Sequence, residues 1–198
     1  MTRGRVRMKI EIVEENENSM RLSLSGATSS YANTLRRIAT NSVKTFAIDR
    51  VTVYENGSAM FDEYIAHRIG LVPIHTPTKG YDEKDEVLFT LEAEGPKTVY
   101  SSDLACSDKE VRVANGQIPL IKLAEGQKVR LEGKAVMGTA LRHAKFQPGL
   151  VTYDTNDNST YAFYVESFGQ MQPRAIINKA FEVIKDEIDD VEKAVKKL

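Results

Sequence analysis

Ile177, Phe181, Ile184, Ile188, Val191, Val195 and Leu198 recur at spacings of 4, 3, 4, 3, 4 and 3. That is a heptad seam, the pattern of a helix that packs lengthwise on another helix. Pro173 suits the first helical position, where its missing amide costs nothing. Early Glu182, Asp186 and Glu187 and late Lys193, Lys196 and Lys197 complement the helix dipole. The seam side chains contribute on the order of 10–20 kcal/mol gross when buried. Ordering the backbone costs about 1–2 kcal/mol per residue, which exceeds that sum before hydrogen bonds are counted. The helix is therefore expected to need a partner surface along its full length, roughly 39 Å at 1.5 Å per residue. A second subunit is the natural candidate; the alternative is a helix lying on the chain's own sheet.

A second helical pattern covers residues 30–46. Tyr31, Leu35, Ile38, Ala39 and Phe46 share one face, and Thr28, Ser29 and Ser30 are competent N-caps. With Leu35 at the centre of that face, Arg37 and Lys44 fall near the opposite side. Asn33 and Thr40 lie beside them, and Arg36 lies on the flank. One face can bury in the chain's core while the other offers a cation and polar groups to solvent or to a partner.

The remaining chain reads mostly as strands. Val6, Met8, Ile10 and Ile12 alternate with charged residues, which predicts a strand with one buried face. A polar turn over residues 15–19 and the alternation of Met20, Leu22 and Leu24 complete a hairpin. A second β region follows at residues 47–54. Asn56-Gly57 signals a turn through tolerance of positive φ. Asp62 is expected to cap a short helix that Gly70 ends. Short strands are predicted at 87–94, 97–101, 111–114, 118–123 and 128–135, and another at 161–168. The β-rich middle differs in character from both ends. The expected fold is α+β, with a discontinuous α/β domain from residues 1–51 plus 154–198. A β-rich domain is inserted at residues 52–153.

The composition narrows the chemistry. A net charge of −1 lacks the basic excess of a dedicated nucleic-acid binder. The single cysteine, Cys106, excludes an internal disulfide and a Cys-rich metal site within this chain. No apolar run approaches the roughly 20 residues that span a bilayer, and no signal-peptide pattern opens the chain, so a cytoplasmic location is expected. Phosphate-binding glycine motifs and nucleophile elbows are absent, and the carboxylates form no magnesium-binding cluster. His67, His75 and His143 show no metal-ligand spacing. His143 and Lys145 are the one pair that acid–base chemistry could use; a polar strand end is the plainer reading.

Asn33-Thr34-Leu35-Arg36-Arg37 resembles the N-x-L-R-R helix of the RNA polymerase alpha-type assembly subunits. Gly70-Leu71-Val72-Pro73-Ile74, His143-Ala144-Lys145-Phe146-Gln147-Pro148 and Val165-Glu166-Ser167-Phe168-Gly169-Gln170 resemble segments of the archaeal branch of that family, the D-type polymerase subunits, in the same order. The resemblance spans nearly the whole chain. It implies a dimerisation domain made from both chain ends, with a β-rich domain inserted between them. It also implies a non-catalytic, cofactor-free scaffold that pairs with a smaller alpha-type subunit, called L in archaea. The pair then joins small subunits N and P and the second-largest catalytic subunit. Tyr31, Leu35, Ile177, Phe181, Ile184, Ile188, Val191, Val195 and Leu198 are the dimerisation residues so implied. Asn33, Arg36, Arg37 and Lys44 face the large subunit, with Arg37 foremost. The chain departs from the pattern at one place. Many D-type chains carry a Cys-rich third domain, often with an iron–sulfur cluster, between the H-A-K and V-E-S-F-G segments. Here only residues 149–160 intervene, without a cysteine, and they read as a short replacement loop. No cluster and no metal are expected. Two other readings stay open: a small hydrolase or transferase using His143 and Lys145, and a homodimer of the bacterial alpha type.

Overall fold

The computed structural model describes residues 8–197. The first half of the chain runs β1 (Lys9–Glu15), β2 (Ser19–Ser25), α1 (Ser29–Asn41), β3 (Thr45–Asn56), α2 (Asp62–Gly70), β4 (Ile74–His75) and β5 (Glu86–Glu94). It continues as β6 (Lys97–Tyr100), β7 (Ala105–Cys106), β8 (Arg112–Val113), β9 (Pro119–Leu123) and β10 (Lys128–Gly138). The chain closes with β11 (Gly149–Asp154), β12 (Thr160–Ser167) and α3 (Pro173–Val195). The mixture of antiparallel sheets with three helices is an α+β fold. The residues divide into two compact units, one built from residues 1–43, 147–168 and 172–198, the other from 44–146 with 169–171.

The first unit is a four-stranded sheet in the order β1-β2-β12-β11, every pairing antiparallel. Asn16 closes the β1–β2 hairpin by accepting from the amides of Asn18 and Ser19, which a short polar side chain does readily. One sheet face carries Leu22, Leu24, Phe163, Val165 and Val151, all buried. Ala32, Leu35 and Ala39 of α1 and Ile176, Ile177 and Ala180 of α3 are buried in the same unit. Gly149 is required where β11 meets β12, because a Cβ there would stand 2.1 Å from the Glu166 carbonyl oxygen.

The second unit is centred on the sheet β3-β10-β5-β7, with the small pairs β4-β8 and β6-β9. Its core gathers Phe46, Ile48, Ile65, Ile69, Phe89, Leu91, Val129 and Leu131. The alternation along β5, buried and exposed by turns, is that of a strand with one face on a core.

Several expectations change. The N-terminal strand buries no residue: Ile10 and Ile12 remain nearly half exposed, and the residues before Met8 lie outside the described ones. The first helix ends at Asn41, not at Phe46. Thr45 and Phe46 instead pair with Gly138 and Met137 in the second unit's sheet, so tertiary pairing overrides the helical period. The Asn56-Gly57 turn uses no positive φ; Asn56 makes it by accepting from the Ser58 amide. Phe61, not Asp62, is the N-cap of α2, and Leu71, not Gly70, is its C-cap. Residues 149–154, taken from the sequence as part of a loop, form β11 and pair with β12, leaving only 155–159 as the turn. The compact units accordingly exchange chain at 43/44 and 146/147, where the sequence boundaries stood at 51/52 and 153/154.

Candidate subunit interface

The seam of α3 is divided. Its first part is spent on the unit's own core: Pro173, Ile176, Ile177 and Ala180 are buried, and Phe181 and Ile184 are half-buried. Beyond that, Ile188, Val191 and Val195 are 61%, 65% and 62% exposed. Leu198 lies outside the described residues. An amphipathic helix is stable in water mainly through burial of its apolar face, and this one leaves the C-terminal half of that face open. Its start is fixed by Arg174, whose guanidinium clasps Glu15 of β1 and holds that carboxyl below its usual range. The exposed seam is flanked by Asp186, Glu187, Asp190 and Glu192.

On α1, Thr28 caps the helix by accepting from the Tyr31 amide at 3.2 Å. Leu35 is fully buried within the unit, and so cannot also be a free dimerisation surface. The same holds for Ile177. Tyr31 is half-buried, and burial pushes its phenol up. Asn33 and Arg37 are exposed one turn apart on the other side. Among the described residues neither side chain has a hydrogen-bonding or ionic partner. Arg36 is half-buried, and its carbonyl accepts from the Thr40 hydroxyl. Lys44 does not join this group. It belongs to the second unit and pairs with Glu83 at 2.7 Å.

The acid–base pair also dissolves. Lys145 donates to the Ile48 carbonyl at 3.0 Å and to Asp49 at 2.8 Å, and Arg142 holds the other Asp49 oxygen at 2.7 Å. The two cations hold the Asp49 carboxyl below its usual range. His143 accepts from the Lys145 backbone amide, not from its ammonium. A lysine so committed ties a loop to a strand. Burial pushes the Cys106 thiol up, away from the reactive thiolate. Among the described residues no cluster of His, Cys, Asp or Glu could hold a metal ion, and no helix is long and apolar enough to cross a membrane. An apolar cleft of about 570 Å³ beside α2, lined by Met60, Phe61, Tyr64, Arg68 and Ile121, escaped the sequence reading. So did the openness of Met8, Ile10 and Ile12, since alternation shows a face without showing what covers it.

What remains open is apolar strand and helix surface with unpaired polar groups, not a catalytic centre. Residues 51–156 match the RNA polymerase Rpb3/RpoA insert domain. The DNA-directed RNA polymerase subunit Rpo3 of Methanocaldococcus jannaschii is 43% identical over 160 residues, covering 81% of this chain and 82% of that one. The chain belongs to the Rpo3 family. These are the archaeal alpha-like, non-catalytic assembly subunits of DNA-directed RNA polymerase, a nucleotidyltransferase complex. Rpo3 of Pyrococcus furiosus is 45% identical over 152 residues, covering 74% of this chain and 58% of its own. Rpo3 of Halobacterium salinarum is 31% identical over 240 aligned positions, covering 94% and 96%. Family membership sets aside the hydrolase and bacterial-type homodimer readings.

Proposed function

We propose that this chain is the scaffold on which a DNA-directed RNA polymerase begins to assemble. Its first unit pairs with a smaller alpha-type subunit of the L kind, and the small subunits N and P and the second-largest catalytic subunit join that pair. The observation that carries the reading is the open half of the α3 seam, Ile188, Val191 and Val195, in a chain of the Rpo3 family. A partner that covers those side chains supplies the burial the helix lacks on its own. Phe181 and Ile184, half-buried, form the inner margin of the contact. Asn33 and Arg37 meet the large subunit, where a planar guanidinium suits a carboxylate or a row of carbonyls. Arg36 supports them from the flank, and Lys44 acts only through the loop it holds. The pair works in the cytoplasm, as a part of the transcription machinery. Co-expression with an L-like subunit tests this directly. A 1:1 complex that Val191→Glu dissolves is the expected result. A wild-type chain that stays monomeric beside that subunit overturns the proposal.

A further inference from the structure

Helix α2 carries more apolar surface than its unit covers. Ile65 and Ile69, one turn apart, are fully buried, and Val72 follows them into the core. Tyr64 and Arg68 are also one turn apart and run along the flank of that face. There Tyr64 is 63% exposed, and Phe61, at the head of the helix, is 71% exposed. Their rings stand 6.3 Å apart. Two adjoining rings left to water are an uncovered patch, the kind of surface that marks a contact with another molecule.

Both rings line the cleft of about 570 Å³ beside α2, together with Ile121 and Lys122 of β9. Arg68 fixes the helix to that strand, because its guanidinium donates to the carbonyls of Pro119 and Leu120. The turn before the helix also lines the cleft, through Ala59 and Met60, and it is tied down. Asn56 donates to the Met60 carbonyl at 2.8 Å and to Asp62 at 2.6 Å. The Ser58 hydroxyl donates to Asn56 at 2.6 Å and accepts from the Met60 amide at 3.2 Å. The cleft is therefore formed before anything enters it, and binding there carries little cost of ordering.

Its charge is one-sided. Besides Tyr64, the ionisable side chains that line it are His67, Arg68 and Lys122, all of them bases, whereas Asp62 and Glu63 do not line it. Arg68 meets carbonyls, not a carboxylate, and Lys122 has no ion-pair partner among the described residues. In a chain of net charge −1, an apolar cleft bordered only by bases selects for acid. A cleft of this volume seats a few side chains, the scale of a short segment and not of a permanent subunit contact. Nucleic acid fits it less well. A stacking platform needs a groove of cations that follows the phosphates, and here the one guanidinium is committed to carbonyls while Met60 and Ile121 call for apolar side chains.

We propose that the cleft between α2 and β9 is a docking site for a short acidic peptide segment of another protein, which seats an apolar side chain against Met60, Phe61, Tyr64 and Ile121 and sets its carboxylates against His67 and Lys122. The site lies wholly within the second unit and does not depend on what the α3 seam binds. The test is fluorescence anisotropy of the full chain with three labelled peptides. All share one pattern of Leu and Phe; the residues between are Glu in the first, Gln in the second and Lys in the third. The Glu peptide is expected to bind, the Gln peptide more weakly and the Lys peptide most weakly of all. Tyr64→Ser should keep the melting temperature of the chain and lower its affinity for the Glu peptide about tenfold, the loss of an aromatic anchor. Lys122→Glu should abolish the preference for the Glu peptide over the Lys peptide. Failure of the Glu peptide to bind overturns the proposal. So does equal binding of all three, or binding that ignores both substitutions. A labelled oligouridylate that displaces the Glu peptide overturns it as well, and makes the cleft a nucleic-acid platform.

Discussion

Single residues decide how tightly the two units are closed. Gly149 lets β11 approach β12, and an added methyl would drive into the Glu166 carbonyl and crowd Ile176 at 3.2 Å. Gly149→Ala is expected to destabilise the chain by about 1–3 kcal/mol, the usual cost of overpacking, measurable by urea denaturation. Asp49 works through charge. Its folded pKa lies below the unfolded value because Lys145 and Arg142 hold the carboxylate. The stability this gives is complete above the ordinary aspartate value, about 3.9, and is lost as the pH falls through the depressed folded value. Asp49→Asn should therefore be less stable than the wild type at neutral pH, with the gap closing as the medium is acidified below the ordinary value. A gap that persists unchanged into strong acid would show that the side chain acts through shape alone.

Elements differ in how openly the sequence declares them. The α3 seam was plain from the period of its apolar residues, and Pro173 marked its start correctly. The β1–β2 hairpin was equally plain, because alternation and a polar turn are both local signals. The end of α1 was not, since Phe46 continues a helical face that a strand of the second unit claims. Strand β11 was hidden for a similar reason: its identity comes from pairing with β12, not from its own pattern. The candidate interface was half legible. Periodicity named every seam residue, but only packing shows that Ile177 is consumed internally while Ile188 and Val191 are left over. That division makes a prediction. Ile177→Ala removes a buried side chain and should cost about 2–5 kcal/mol in the isolated chain. Ile188→Ala should change the isolated chain by no more than about 0.5 kcal/mol, the range of ordinary surface positions. Paired denaturation curves distinguish them, and equal costs would mean that the whole seam is buried internally.

At the scale of the whole molecule, assembly requires that two different contacts be separable. Leu35 fastens α1 into its unit, whereas Asn33 and Arg37 stand exposed and unengaged on the opposite side. An exposed arginine adds little to the fold it stands on, but its removal takes away hydrogen bonds and charge pairing when a partner that uses it is present. Arg37→Ala should therefore keep the melting temperature of the isolated chain and its complex with an L-like subunit. It should weaken capture of the second-largest subunit at least tenfold, since losing a charged hydrogen bond costs about 1.5–3 kcal/mol. Arg37→Lys keeps the charge and loses the fork, and should restore only part of that affinity. Val191→Glu should show the reverse, losing the L-like subunit first and the large subunit only in consequence. Pull-down of the two partners on each variant reads both contacts at once. Loss of the L-like subunit on Arg37→Ala would place the arginine face in the dimer contact and leave large-subunit capture to residues elsewhere on the chain.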